Sequence, residues 1–425
     1  MNKIIIFIWL LLAPIQPLLA KDMPLYTELA LVMEKRDMGK ITAAIQQALQ
    51  QRGNEAGQPD QPEQWIYVAA AEKPIAPPSI KTVFQPYIGF YEQYGWWTKK
   101  TALSSPQHIP TALRAIAELI NGAVDAQQLQ AVGAEKLLAN AMQGAEVVMA
   151  AQKIAGNGVY PVPAWRKKQG RVPALANNFL EKAERDGVLS SVEKEGWIIN
   201  DRGHGDLAFD NGVVGEAMLR LFHATGNERY RQSALWAADW ALRQPIVPNF
   251  NYNAFHALLL AEAYKISGDK TYIKEAIEKL RLGFFSGMVQ SGPWRGSWVD
   301  GHNARLVYRY IMIRAAVKIV AALPSDTPPN ISTELLANLR AAIEAADQLT
   351  LNHDAVAAYQ QAAYAVCEAN LLIPDLLASF GQEFQTNHRA ANQLIFKAAW
   401  QAYAQKNGPN IATLGCLARL VAAEK

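Results

Sequence analysis

Asp206, Asp210, Tyr252, Asp300 and His302 are the side chains whose types and neighbours suit proton-transfer chemistry. Each stands at or near the start of an apolar helical pattern. Asp206 and Asp210 precede VVGEAMLRLF, Tyr252 lies within Asn251-Tyr252-Asn253, and Asp300 and His302 lie within Asp300-Gly301-His302-Asn303. Two carboxyl groups across a glycosidic bond hydrolyse it, one protonating the leaving oxygen while the other activates water or attacks. Asp206, Asp210 and Asp300 can divide those roles. Elimination from a uronate needs other parts: a group that neutralises the substrate carboxylate and a base that removes the C5 proton. Asn251, Asn253, His302, Tyr252, Arg295 and Tyr308 suit that set, and Asn211, Trp165, Trp294 and Trp298 add amide and indole surface for a sugar. Both chemistries remain open. Zinc spacings, a phosphate loop, a nucleophile elbow and a dinucleotide fingerprint are all missing from the sequence.

A simpler role competes for some of these residues. Asn and Asp are preferred helix N-caps, so Asn211, Asn253 and Asn303 can serve only to satisfy free backbone N–H groups. Capping does not call for an imidazole, a phenol or an indole beside them, and Tyr252, Trp298 and His302 supply these. His256 has apolar neighbours and reads as a hydrogen-bonded core residue, and His204 is a weak candidate. Glu216 stands four residues before Arg220, the spacing of a helical ion pair. Asp210 stands at a helix start, where the partial positive charge favours its ionised form. It is therefore the expected electrostatic partner or base and the position most sensitive to substitution. The acid falls to Asp300 or Asp206, and His302 is the proton carrier in the lyase case.

These residues are carried by helical hairpins. Val214, Ala217, Met218, Leu221 and Phe222 repeat at helical spacing, the chain breaks at Gly226-Asn227, and a second apolar helix follows from Tyr230 to Ala241. The pattern recurs from Asn251 to Leu280, and the turn glycines Gly226 and Gly268 are 42 residues apart, a spacing typical of repeat architectures. Elsewhere the periodicity predicts two helices within 25–52 split near Asp37, and helices near 109–120, 126–154, 174–185, 303–323, 332–349, 354–369, 383–404 and 410–423. The second of these is expected to break at Gly133 or Gly144. Residues 188–201 suit a short strand pair. About a dozen helices, with no linker that would divide domains, predict one all-α domain over 21–425, with an N-terminal decoration to about 107.

Composition narrows the partners. The 425 residues are half hydrophobic and 19% charged, which is not the composition of a disordered chain. A net charge of +3 is too small to indicate nucleic acid as a partner. Lys3, the apolar run Ile4–Leu12 and the small residue Ala20 form a signal-peptide pattern, cleaved before Lys21. That places the expected mature chain in the periplasm or outside the cell with no membrane span. Cys367 and Cys416 fall on apolar helix faces and can either pair or stay as buried thiols.

Phe209-Asp210-Asn211-Gly212 at a helix start, followed by Ala224-Thr225-Gly226-Asn227-Glu228-Arg229-Tyr230 at the turn, resembles the six-hairpin glycosidase-like superfamily. Over that short segment the Asp-Asn-Gly helix start also resembles the α/α-toroid pectate lyases, although their Gly-Gly-Trp-Pro signature is missing. The resemblance implies an α/α toroid, with the helix starts at Asn211, Asn253 and Asn303 on one side. The implied activity is cleavage of a poly- or oligosaccharide by hydrolysis or by uronate elimination, the latter with calcium as a possible aid and the former with no cofactor. The alternative is an exported, non-catalytic glycan-binding or assembly protein on the same scaffold, with its tryptophans exposed and its carboxylates in ion pairs.

Overall fold

The computed structural model describes residues 23–60, 62–68, 79–94, 112–164, 180–203, 205, 207–357, 361–404 and 410–423. The leader, Trp165, His204, Asp206 and the start of the helix expected from 174 lie outside the described residues. The described chain is mostly α-helical, and no described helix is long and apolar enough to cross a membrane.

The helices end where local chemistry requires it. Asp37 caps Met38–Arg52 by accepting from the Lys40 backbone N–H. Gly133 has φ 78° and stops the long 126–154 pattern, so that Ala134–Ala155 starts afresh and runs through Gly144. Gly226 and Gly268 close Ala208–Thr225 and Phe250–Ser267 at φ 68° and 72°, the left-handed backbone that a Cβ disfavours. The following helices, Glu228–Leu242 and Lys270–Gly283, are capped by Asn227 and Asp269, each accepting from the N–H two residues on. Both hairpins of the 42-residue repeat are thus present with matching turns.

The chain forms two compact units. One is built on Pro78–Arg243 with Ala402–Gly415. In it Ala112–Gln128 packs against both Ala134–Ala155 and Ala208–Thr225, and Ala208–Thr225 packs against Glu228–Leu242. Ala208–Thr225 is buried on nearly every side from Ala208 to Leu219, whereas Glu228–Leu242 buries one face through Tyr230, Ala234, Ala237, Ala238 and Ala241. A helix buried all round beside an amphipathic one makes a covered and an outer layer within the unit. Glu193–Lys194 and Trp197–Ile198 pair across Glu195-Gly196, which supply the two positive φ values of a primed hairpin turn. The strand pair expected in 188–201 is therefore formed, and Val162–Pro163 adds a third strand.

The other unit is built on Leu18–Pro77, Gln244–Gln401 and Cys416–Lys425. It repeats the layering: Phe250–Ser267 packs on Lys270–Gly283 and Leu306–Ala321, and Leu306–Ala321 packs on Pro329–His353 and Gln361–Leu372. Cys367 and Cys416 are buried thiols. One expectation fails here. The helix predicted from Asp354 begins only at Gln361, because Asp354 turns left-handed at φ 45° and Ala355–Ala357 forms a strand against Trp65–Tyr67. An Ala-Val-Ala run has no strand signature, and its partner lies almost 300 residues earlier in the chain.

Candidate functional site

The second unit gathers ionisable groups around the loop before Leu306–Ala321. Asp300 is fully buried. Its Oδ1 accepts the Tyr26 hydroxyl at 2.8 Å, the Asn303 backbone N–H at 2.8 Å and the Asn303 amide at 3.0 Å. Its Oδ2 is buried with no hydrogen-bond partner among the described residues. Burial pushes the Asp300 carboxyl above its ordinary range, with the three donors and Arg52 opposing. Burial likewise drives the Tyr26 phenol upward, reinforced by the charge of Asp300. Asn303 passes the network outward: its amide donates to Asn249 Oδ1 at 3.2 Å, and its Oδ1 accepts the Asn251 backbone N–H and side-chain amide at 3.2 and 2.8 Å.

Around this hub stand three carboxyls and three guanidiniums, Asp60, Glu63 and Asp300 with Arg52, Arg305 and Arg309. Arg305 Nε lies 3.3 Å from Asp60 Oδ1, at ion-pair distance but without hydrogen-bond alignment. Glu63 accepts a hydrogen bond from the Leu306 backbone N–H, capping that helix from 243 residues away. Burial raises the Glu63 carboxyl, and the same cause lowers Arg309 to about 10. Arg309 is held by the Ala304 carbonyl at 2.8 Å and Ser297 Oγ at 2.6 Å.

His302, Arg305 and Tyr308 form one edge of the cluster. An Arg305 terminal N–H reaches His302 Nδ1 at 2.7 Å and the Tyr308 hydroxyl at 3.0 Å. A guanidinium can only donate, so Nδ1 must be the acceptor and the neutral ring carries its proton on Nε2. Burial, then the Arg305 charge, lowers the imidazole to about 3, which keeps it neutral at ordinary pH. The imidazole and phenol rings lie 4.3 Å apart. His302, expected as a proton carrier, is therefore arranged as a donor through Nε2. Tyr252, Asn249 and His302 are half-buried, whereas Arg305, Tyr308, Asp300, Asn251 and Asn303 are buried.

Other candidates are placed differently. Asp210 belongs to the first unit, where Oδ1 accepts from Arg114 Nε at 2.7 Å, and the same guanidinium lies 3.7 Å from the Phe209 ring centroid. Asn211 neither caps its helix nor faces solvent: Oδ1 accepts the Tyr160 N–H at 3.2 Å and Nδ2 donates to the Ala237 carbonyl at 3.2 Å. Asn253 is clamped more tightly, to Val247 N–H and carbonyl at 2.9 and 2.7 Å and to the Gly283 carbonyl at 2.6 Å. Both asparagines are corrections to the substrate-binding expectation, because their amides are consumed by backbone. Trp298 is another. It is fully buried, donates to the Phe284 carbonyl at 3.0 Å and meets the Phe284 ring edge-on. Trp294 is half-buried with its Cβ against Gly57, and exposed Arg295 lies 3.5 Å from Glu344. No group of three or more His, Cys, Asp or Glu side chains among the described residues converges as metal ligands.

Tyr26, Arg52, Asp60, Glu63 and Asn249 escaped the sequence reading. Residues 52–62 have the polar, Gly- and Pro-containing composition of a loop, and nothing local pairs them with Asp300. The contact is tight all the same. The Asp60 N–H donates to the Gly301 carbonyl at 2.8 Å, and a Cβ on Gly301 would stand 2.8 Å from that of Asp60. Comparison with family models, curated proteins and solved structures finds no match to this chain.

Proposed function

We propose that the chain is an exported carbohydrate-active enzyme that cleaves a uronate-containing glycan by β-elimination on an α/α-toroid scaffold. The observation that carries this reading is the Arg305, His302 and Tyr308 constellation beside Asn249 and Tyr252. Elimination needs the charge that builds on the substrate carboxylate to be stabilised, and a neutral imidazole whose Nε2–H has no partner among the described residues is a hydrogen-bond donor for it. The Tyr308 oxygen, held by the Arg305 N–H at 3.0 Å, takes the C5 proton as the C4–O bond breaks and the C4–C5 double bond forms. The same phenol returns that proton to the leaving oxygen. The scaffold part of the reading rests on the alternation of fully buried and amphipathic helices within each unit, and export rests on the leader pattern.

Hydrolysis is the second reading, and one observation favours it: the Asp300 carboxyl is raised by burial, the property of an acid catalyst. Its complete burial behind Asn303 counts against direct contact with a glycosidic oxygen. A non-catalytic binder would keep its tryptophans exposed, and Trp298 is core. The deciding experiment incubates purified protein with neutral and uronic-acid glycans, following near-ultraviolet absorbance and new reducing ends. Elimination gives both signals and hydrolysis only the second. Silence on every glycan overturns the enzymatic reading. N-terminal sequencing of extracellular or periplasmic material should begin at or near Lys21, and intact Met1 in the cytosol would refute export.

A further inference from the structure

The strand Trp65–Tyr67 follows Glu63 of the cluster and carries one half-buried and one exposed aromatic side chain. Glu63, which caps Leu306–Ala321, is two residues before Trp65, and Tyr67 is two residues beyond it. Alternate residues of a strand share one face, so Trp65 and Tyr67 project side by side about 7 Å apart. Tyr67 is 70% exposed. Trp65 is half-buried, its ring stacked on His353 with centroids 4.2 Å apart and planes 15° from parallel, and the strand is paired along its edge with Ala355–Ala357. A tyrosine this exposed on a paired strand buries little of its ring in the fold.

We infer that Trp65 and Tyr67 form a stacking subsite for successive sugar rings of a polymeric glycan, leading away from the Glu63 end of the cluster. This rests on the glycan-cleaving function proposed above and adds that the substrate is a chain rather than a short oligosaccharide. Two aromatic side chains offer a few hundred Å², well below the ~800 Å² that a stable protein partner covers on each side. A sugar presents one flat C–H face of ring size, which such a surface matches. From Glu63 to Tyr67 the chain spans at most ~14 Å, enough for a few residues of polymer beyond the cluster.

Affinity electrophoresis through gels cast with the same glycan panel tests binding apart from turnover. Wild-type protein should be retarded by one acidic polysaccharide, and Tyr67→Ala should lose about tenfold in affinity, as should Trp65→Ala. Tyr67→Ala bears on an exposed side chain and leaves the fold intact, so it remains decisive if Trp65→Ala is unstable. In kinetics Tyr67→Ala should raise KM about tenfold on the polymer and leave both kcat and the KM for a short oligomer unchanged. Equal retardation and equal KM for wild type and Tyr67→Ala, in a protein that cleaves the polymer, would overturn the subsite and leave the enzymatic reading standing. Absence of both binding and cleavage on every glycan would overturn the two together.

Discussion

The hairpins Ala208–Leu242 and Phe250–Gly283 share a turn glycine, an N-cap on the second helix and a buried tyrosine one turn later, Tyr230 in one and Tyr272 in the other. They also share an asparagine in the first turn of the inner helix, Asn211 and Asn253, and both side chains clamp neighbouring backbone. One position earlier they part. Asp210 meets Arg114 in the first unit, whereas the matching Tyr252 is half-buried beside the asparagine network in the second. A repeat therefore conserves what the hairpin needs to pack and leaves its first turn free to diverge. In the second unit the 300–305 loop, which holds that turn through Asn303, meets residues from the N-terminal part of the chain.

The largest expected effect separates the hub of the second unit from everything in the first. Asp300→Ala strands the Tyr26 hydroxyl and two Asn303 donors in the interior and should cost about 3–5 kcal/mol in urea unfolding. A loss under about 1 kcal/mol would mean that the buried network is not formed. Tyr308→Phe should lower turnover by at least ~100-fold with an unchanged melting temperature, since it removes the proposed base and keeps the ring. Asp210→Asn should change turnover by less than ~10-fold and cost about 1 kcal/mol, because Arg114 is partly solvated. A drop of several orders of magnitude for Asp210→Asn would return the chemistry to the first hairpin, as the sequence reading expects.

A pH experiment sharpens the same contrast. Between about 3 and 6.5 the unfolded chain protonates His302 while the folded chain does not. The linked stability is present above pH 6.5 and is lost as pH falls toward 3, by the order of a few kcal/mol. His302→Gln should flatten that part of the stability profile, and an identical slope in both proteins would show that the ring is not held neutral. The smallest effect tests the likeness of the hairpins. Asn227→Ala and Asp269→Ala each remove one N-cap and should give small, similar drops in melting temperature, and a marked inequality would break the equivalence of the two turns.

Much of the fold was legible because its determinants are local. Spacing at three and four residues marks a helix, a left-handed glycine ends it, and Asp37, Asn227 and Asp269 announce the next start. The all-α class, the 42-residue hairpin repeat and the strand pair near Trp197 follow from such signals. His302, Asp300 and Tyr308 were visible as residues of suitable chemistry, although the sequence does not say which nitrogen of His302 carries the proton. Only the tertiary structure decided that Asn211, Asn253 and Trp298 belong to the scaffold, and that Tyr26, Asp60 and Glu63 belong with Asp300. An amide clamping distant backbone and an amide holding a sugar look alike in sequence. What distinguishes them is the partner that packing brings to the same atom, and for Glu63 that partner is a helix start 243 residues away.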